Sequence, residues 1–302
     1  MENNITYAYI ETTNHCNLNC SFCNRQEVVD RLQHMSVNDF EILLTKIKDQ
    51  PIREVKLMGM GEPFYHPMFF EICRLFKETF PNAKIISATN CQYVISKNFK
   101  ESLKYIDELY FSIDGYKETY EKYRGGAKWS NLIRFLDDFK TVERHNCKVV
   151  INYVINPNNV SDIQLVYDEI LLKYDLKELR LNFAQNWSEN ENMVLDYSDE
   201  QINYIKTNWK DNVKGKSIWD YNDCFWVKEG LYVTVEGDLK MCCINTNTKS
   251  FGNIFKTPVN EIRLSDRYIN VKNGCTNNKP TDHCKNCSYK ELTTILKVIK
   301  ND

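Results

Sequence analysis

The sequence predicts an α/β protein built on a largely parallel sheet, with a small cysteine-rich unit at its C-terminal end. Over the first two-thirds of the 302 residues, short apolar runs alternate with longer amphipathic ones. Strands and helices in alternation form right-handed βαβ units, and such units build parallel sheets. After about residue 215 the alternation stops and cysteines crowd together at 224, 242, 243, 275, 284 and 287. Two domains are therefore expected, 1–215 and 216–302. Six strand–helix repeats suit an open doubly wound sheet or a partial barrel, and periodicity does not choose between them.

The elements follow in order. "ITYAYIETT" (5–13) reads as a strand, and 37–49 as a helix with Phe40, Leu43, Leu44 and Ile47 at helical spacing. "EVKLMGM" (54–60) is a second strand, followed after Pro67 by a helix near 68–79. Strands at 83–90, 108–115, 147–156 and 177–183 alternate with helices near 97–105, 131–145 and 160–174. "GLYVTVEGDLKMCC" (230–243) has the form of a hairpin turning at "EGD", and 289–299 that of a closing helix.

Composition narrows the class. Hydrophobic content of 42% and aromatic content of 13% support a large packed core. Lys plus Arg number 39 against 41 Asp plus Glu, a net charge of -2, which argues against electrostatic binding of nucleic acid or anionic membrane. "MENNITYAYI" lacks a basic segment before an apolar run, and no apolar stretch approaches the ~20 residues of a membrane span. A cytoplasmic protein is expected. Twelve cysteines in a reducing compartment point to metal ligation rather than disulfides.

Cys16, Cys20 and Cys23 stand at C-x3-C-x2-C directly after the first strand. A structural zinc site wants four ligands. Three thiolates can hold three irons of a cubane 4Fe–4S cluster and leave the fourth iron open. The same three could also be part of a zinc site or a chance grouping.

With Phe22 before Cys23, the stretch resembles the C-x3-C-x-aromatic-C motif of the radical S-adenosylmethionine (SAM) superfamily. The resemblance implies a partial (β/α)6 barrel of TIM type, with Cys16, Cys20 and Cys23 holding the cluster and SAM on the open iron. It further implies reductive cleavage of SAM to a 5′-deoxyadenosyl radical that abstracts a hydrogen atom, with a flavodoxin or ferredoxin as electron donor. "MGMGEPFYHP" (58–67) resembles the family's GGE segment, so Gly61 and Glu62 are expected to meet the methionine ammonium of SAM; Met60 departs from the family's first glycine. "SATNC" (87–91) brings Thr89 and Asn90, with Cys91 where relatives commonly have glycine. "FSIDG" (111–115) and "YRGG" (123–126) bring Ser112, Asp114 and Arg124, and Asn182 ends the sixth strand. All are implied to bind the cofactor.

Strand parity adds an expectation of its own. Tyr7, Tyr9, Glu11 and Thr13 share one face, as do Ser87, Thr89 and Cys91; Tyr110, Ser112 and Asp114; and Arg180 and Asn182. In a barrel these polar sets would face the lumen.

At the C-terminal end, Cys284 and Cys287 form C-x2-C, and Cys224 and Cys242 complete a set of four. Alone this reads equally as zinc. Beside a radical SAM barrel it resembles the SPASM and shorter twitch domains, which implies one auxiliary 4Fe–4S cluster; Cys243 could replace Cys242, and Cys275 is left as structural. The arrangement is similar to that of radical SAM dehydrogenases, which implies oxidation of a carbinol on a sugar- or aminocyclitol-like small molecule. Glu11 is then the candidate base, and Arg180 orients a hydroxyl. Two other readings stay open: epimerisation with Cys91 or Cys243 as hydrogen donor, and modification of a peptide, for which the early position of the cysteine loop leaves no room for a leader-binding domain. Cys73 and Cys147 read as core filler. A zinc or redox-sensing protein without enzymatic activity is the reading from another class. The polar stretch 182–192 is expected to cover the substrate.

Overall fold

Along four of the strands, half-buried residues alternate with fully buried ones, the pattern of a curved sheet with a wet inner face and helices packed outside. The computed structural model describes residues 4–185, 197–215, 224–244, 248–281, 284–285 and 287–300. Its elements run β1 (Tyr7–Ile10), α1 (Arg25–Val28), α2 (Val37–Ile47), β2 (Glu54–Leu57), α3 (Phe69–Thr79), β3 (Lys84–Thr89), α4 (Lys97–Ser102), β4 (Glu108–Ser112), α5 (Glu118–Tyr123), α6 (Trp129–Phe139), β5 (Lys148–Ile155), α7 (Ile163–Val166) and β6 (Glu178–Phe183). There follow α8 (Asp199–Trp209), α9 (Phe225–Glu229), β7 (Gly230–Val233), β8 (Asp238–Lys240), β9 (Gly252–Asn253), α10 (Val259–Arg263), α11 (Asp266–Thr276) and α12 (Ser288–Lys300).

The strands form one sheet in the order β6-β5-β4-β3-β2-β1-β7-β8-β9. Strands β1 to β6 are parallel, so the predicted βαβ repeats are present in sequence order. Strand β7 pairs parallel with β1, Tyr9 opposite Tyr232, and the hairpin β7–β8 is antiparallel with Gly237 at positive φ in its turn. The C-terminal unit therefore extends the sheet of the first domain. The outer edge of β6 is covered by 212–214, where Leu181 exchanges backbone hydrogen bonds with Asn212 and Lys214.

The helices bury their apolar stripes on the outer face. Phe40, Leu43, Leu44 and Ile47 of α2 are buried, as expected from their spacing. Ser36 caps that helix by accepting from Asp39 N–H at 3.0 Å. Helix α8 was not read from the sequence, although Ser198 and Gln201 form a capping box at its start. The helix expected near 160–174 is instead a 3-10 turn, α7 and a π-helical stretch, Tyr167–Leu172.

One expectation of facing fails. Paired residues of neighbouring strands point to the same side, and Ser87 and Thr89 lie opposite Leu109 and Phe111. They face the buried outer layer, while Ile86 and Ala88 share the inner face with Glu108 and Tyr110. Their hydroxyls are satisfied there: Ser87 donates to the Leu57 carbonyl at 2.8 Å, and Thr89 Oγ1 is 2.6 Å from the Tyr93 hydroxyl. Polarity alone picked the wrong face. No helix among the described residues is long and apolar enough to cross a membrane.

Candidate active site

The loop after β1 is fixed by backbone contacts with two other strand-end loops. Glu62 N–H donates to the His15 carbonyl at 2.7 Å, Asn19 N–H to Gly125 at 2.8 Å and Ser21 N–H to Tyr123 at 2.9 Å. A Cβ on Gly61 would overlap the carbonyl oxygens of Thr13 and His15, and one on Gly125 that of Asn19. Glycine at these two positions is thus required by the cysteine loop's own backbone.

Polar hydrogens converge on the sulfurs. Leu18 N–H lies 3.5 Å and Asn90 Nδ2 3.7 Å from Cys16 Sγ, and Arg124 Nη1 lies 4.0 Å from Cys20 Sγ. Arg124 is 6% exposed, pairs with the fully buried Asp114 at 2.6 Å and covers the Phe22 ring at 5.6 Å. Its Nε is buried without a hydrogen-bond partner among the described residues. Burial pushes the Cys20 thiol up to about 12, with Arg124 acting the other way. Among the described residues no three such side chains converge on a single ion. A mononuclear zinc site does not fit this. A cubane, where every thiolate takes its own iron and hydrogen bonds to sulfur are usual, does.

Glu62 is buried beside this loop. Its Oε2 accepts from Asn90 N–H at 2.7 Å, and burial raises its carboxyl to about 7. Asn90 Nδ2 also donates to Asn17 Oδ1 at 2.8 Å. Ser112 ends β4 opposite Asn152. The structure therefore gathers Glu62, Asn90, Asp114 and Arg124 around the three cysteines.

A second group lines a cavity of about 720 Å³ on the inner face. Phe22, Tyr7, Tyr9, Lys56, Tyr110 and Asn152 line it on the barrel side. Arg180 and Asn182 do so from β6, and Asn182 Nδ2 donates to Asn152 Oδ1 at 2.8 Å. Cys224, Cys242, Cys243, Cys275, Cys284 and Cys287 line the other side. Cys275, set aside as structural from the sequence, thus lies with the predicted four and hydrogen-bonds with Cys284. Cysteine spacing had given no signal for it. Among the described residues no disulfide joins any of these sulfurs.

Three predicted residues sit elsewhere or are already engaged. Glu11 is buried off the cavity, its Oε1 accepting from the Tyr232 hydroxyl at 2.7 Å and Met60 N–H at 3.2 Å, and burial raises it to about 7. Cys91 is fully buried behind β3, with its Sγ 3.8 Å from the Thr89 carbonyl and φ at +59°. That left-handed backbone explains why the family's glycine suits the position. Arg180 is saturated: it pairs with Glu108 and Glu178 and donates to the Tyr110 hydroxyl at 2.7 Å. Tyr7, Tyr9, Tyr110, Arg180 and Asn182 line the cavity as strand parity predicts, and Lys56, which the sequence analysis does not name, lies among them. The signal was the Lys in "EVKL", a charge inside a parallel strand that reads as apolar when both faces are dry. Of the stretch 182–192, residues from 186 on lie outside the described residues.

Comparison with known proteins agrees with this geometry. The radical SAM superfamily model matches residues 10–170, and an iron–sulfur cluster-binding SPASM model matches 224–288. A tungsten-containing aldehyde ferredoxin oxidoreductase cofactor-modifying protein from Pyrococcus furiosus is 23% identical, over 98% of this chain and 91% of the relative. The fold is that of Streptococcus suis SuiB bound to S-adenosylmethionine (TM-score 0.71, 16% identity, 96% of this chain and 72% of that one). It is also that of BtrN in complex with AdoMet and 2-DOIA (TM-score 0.60, 14% identity, 95% and 94%). With a three-cysteine loop that suits a cubane, and a family match over more than half its length, this chain belongs to the radical SAM superfamily, an S-adenosylmethionine- and iron–sulfur-dependent enzyme with a SPASM domain at its C-terminal end.

Proposed function

We infer that the enzyme is an oxidoreductase that dehydrogenates a carbinol on a small polyhydroxylated, sugar- or cyclitol-like molecule. One observation carries the reading: a single cavity runs from Phe22 of the cysteine loop to Cys224, Cys242, Cys284 and Cys287. A substrate held there lies between two iron–sulfur sites, so an electron left on it after hydrogen abstraction has an acceptor in reach. Its volume falls within the ~300–1,000 Å³ of small-molecule sites.

Cys16, Cys20 and Cys23 would hold the catalytic cluster, and Cys224, Cys242, Cys284 and Cys287 the auxiliary one. When bound, cluster and SAM supply reductive cleavage of the sulfonium and hydrogen-atom abstraction. The chain's own residues do the rest. Glu62 accepts from the ammonium of SAM, with Gly61 holding its loop against the cysteine loop. Thr89 anchors the turn that presents Asn90, while Ser112, Asp114 and Arg124 border the cofactor beside Phe22. Asn152, Asn182 and the Tyr110 hydroxyl, oriented by Arg180, offer hydrogen bonds to substrate hydroxyls.

Cys243 supports a second reading. It lines the same cavity and burial raises its thiol to about 12, which keeps the S–H bond intact as hydrogen donation in an epimerase requires. Incubating anoxic, reconstituted enzyme with SAM, a reductant and a panel of polyols and sugar acids in D2O separates the two. Dehydrogenation gives a product two mass units lighter. Epimerisation gives one deuterium at unchanged oxidation state. Neither change with any compound, despite SAM cleavage, removes both.

A further inference from the structure

The wall of the large cavity carries Lys56, Arg180 and Lys214, and no Asp or Glu among the described residues. Arg180 is neutralised by Glu108 and Glu178. Lys56 is not: among the described residues it has no ion pair or hydrogen bond, only the faces of Tyr7 at 5.7 Å and Tyr110 at 5.9 Å. It projects from β2 beside Tyr9 of β1, its register partner. The hydroxyls of Tyr7 and Tyr9 likewise have no hydrogen-bond partner among the described residues, and burial holds both phenols protonated. One ammonium and two phenolic O–H groups thus face the cavity as donors without acceptors.

We propose that Lys56, with Tyr7 and Tyr9, holds a carboxylate of the substrate. An unpaired ammonium on a wall that carries no Asp or Glu among the described residues, with two phenolic O–H groups beside it, suits an anion; the acids Glu54, Asp107 and Glu108 that Lys56 also borders lie in an adjoining cavity. The set matches two oxygens sharing one charge. A phosphate dianion calls for more, such as a free Arg fork, and the fork of Arg180 on this wall is already taken by Glu108 and Glu178. This deepens the reading above by narrowing its small polyhydroxylated substrate to a sugar acid or similar hydroxy acid.

Cys243 gives a test that needs no substrate. It lines the same cavity, and the Lys56 ammonium acts on its thiol electrostatically. Iodoacetate and iodoacetamide both alkylate a thiolate with loss of iodide, and differ in that only iodoacetate bears a carboxylate. Their relative rates at Cys243 in anoxic holoenzyme are read by peptide mass spectrometry, and the ratio cancels any change in thiol acidity. Lys56→Met should lower the iodoacetate preference about tenfold, the loss of one charge-assisted hydrogen bond. Lys56→Arg should retain it, with iron content unchanged in both. An unchanged ratio in Lys56→Met overturns the assignment. So does a shifted auxiliary-cluster potential with the ratio intact, which makes Lys56 a partner of the cluster. The labelling requires no turnover: absence of an oxidised product would leave this proposal standing, and loss of the iodoacetate preference would leave the oxidation reading standing.

Discussion

If Glu62 accepts the ammonium of SAM, cofactor affinity must fall as pH falls through neutrality. Burial holds this carboxyl at about 7, although Asn90 N–H at 2.7 Å favours its charged form. The ammonium needs the ionised carboxylate. A carboxyl at about 7 is roughly 10% ionised at pH 6 and 90% at pH 8, so SAM should bind about tenfold more weakly at pH 6. Glu62→Gln keeps the shape and one of the two acceptor oxygens and removes the charge. It should weaken SAM by about 1.5–3 kcal/mol, ten- to a hundredfold, and flatten the pH profile. Without SAM the sign reverses: a carboxyl raised by burial favours the fold while neutral, so stability of the SAM-free protein falls as pH rises toward 7. Calorimetric titration of SAM into the anoxic, cluster-loaded protein at pH 6, 7 and 8 measures the first effect. A Glu62→Gln profile with the wild-type slope would refute the assignment, because another group would then be titrating.

Other expectations can be checked separately. Reconstituted protein should carry about eight irons, falling to about four when Cys20 or Cys284 becomes alanine, with zinc near zero by metal analysis. Asp114→Asn leaves Arg124 buried beside an uncharged amide; a loss of about 3–5 kcal/mol should lower the apparent Tm by roughly 5–10 °C in anoxic thermal unfolding. Cys91→Gly should be nearly neutral, because φ of +59° suits glycine, while Cys91→Val should destabilise at that angle. Product formation that survives Cys91→Gly removes that thiol as a hydrogen donor.

Most of the fold was legible because period-2 and period-3.6 patterns decide which face is buried, and every predicted strand of the first domain formed. The site was legible in part. Strand-end motifs fall together because loops at one end of a parallel sheet are neighbours by construction. What the sequence withheld was handedness of facing. Ser87, Thr89 and Cys91 are polar or reactive, and so were expected inside, yet a strand's two faces differ by a single residue of register. The Leu57 carbonyl and the Tyr93 hydroxyl satisfy Ser87 and Thr89 outside, and the Cys91 thiol lies 3.8 Å from the Thr89 carbonyl. Glu11 misled for a related reason: its parity is right, but Tyr232 comes from a strand more than 200 residues away and occupies its carboxylate.

That distant strand is also what makes a two-cluster cavity possible. Strand β7 pairs with β1 in continuous parallel register from Tyr7–Gly230 to Ile10–Val233. Strand β1 leads into the cysteine loop, and β7 is preceded by Cys224 and followed, after the hairpin, by Cys242 and Cys243. The cysteine loop and the Cys224 and Cys242 thiols are therefore tied to adjacent, hydrogen-bonded strands of one sheet. Tyr7 and Tyr9 stand on the strand that joins them, packed edge-on against Trp226 and Tyr232 of the C-terminal unit. Any substrate resting on these tyrosines keeps its distance to both sites as long as β1 and β7 stay paired. Electron transfer from a substrate radical depends on that distance, so docking the C-terminal unit onto the edge of the sheet is a structural requirement for the oxidation proposed here.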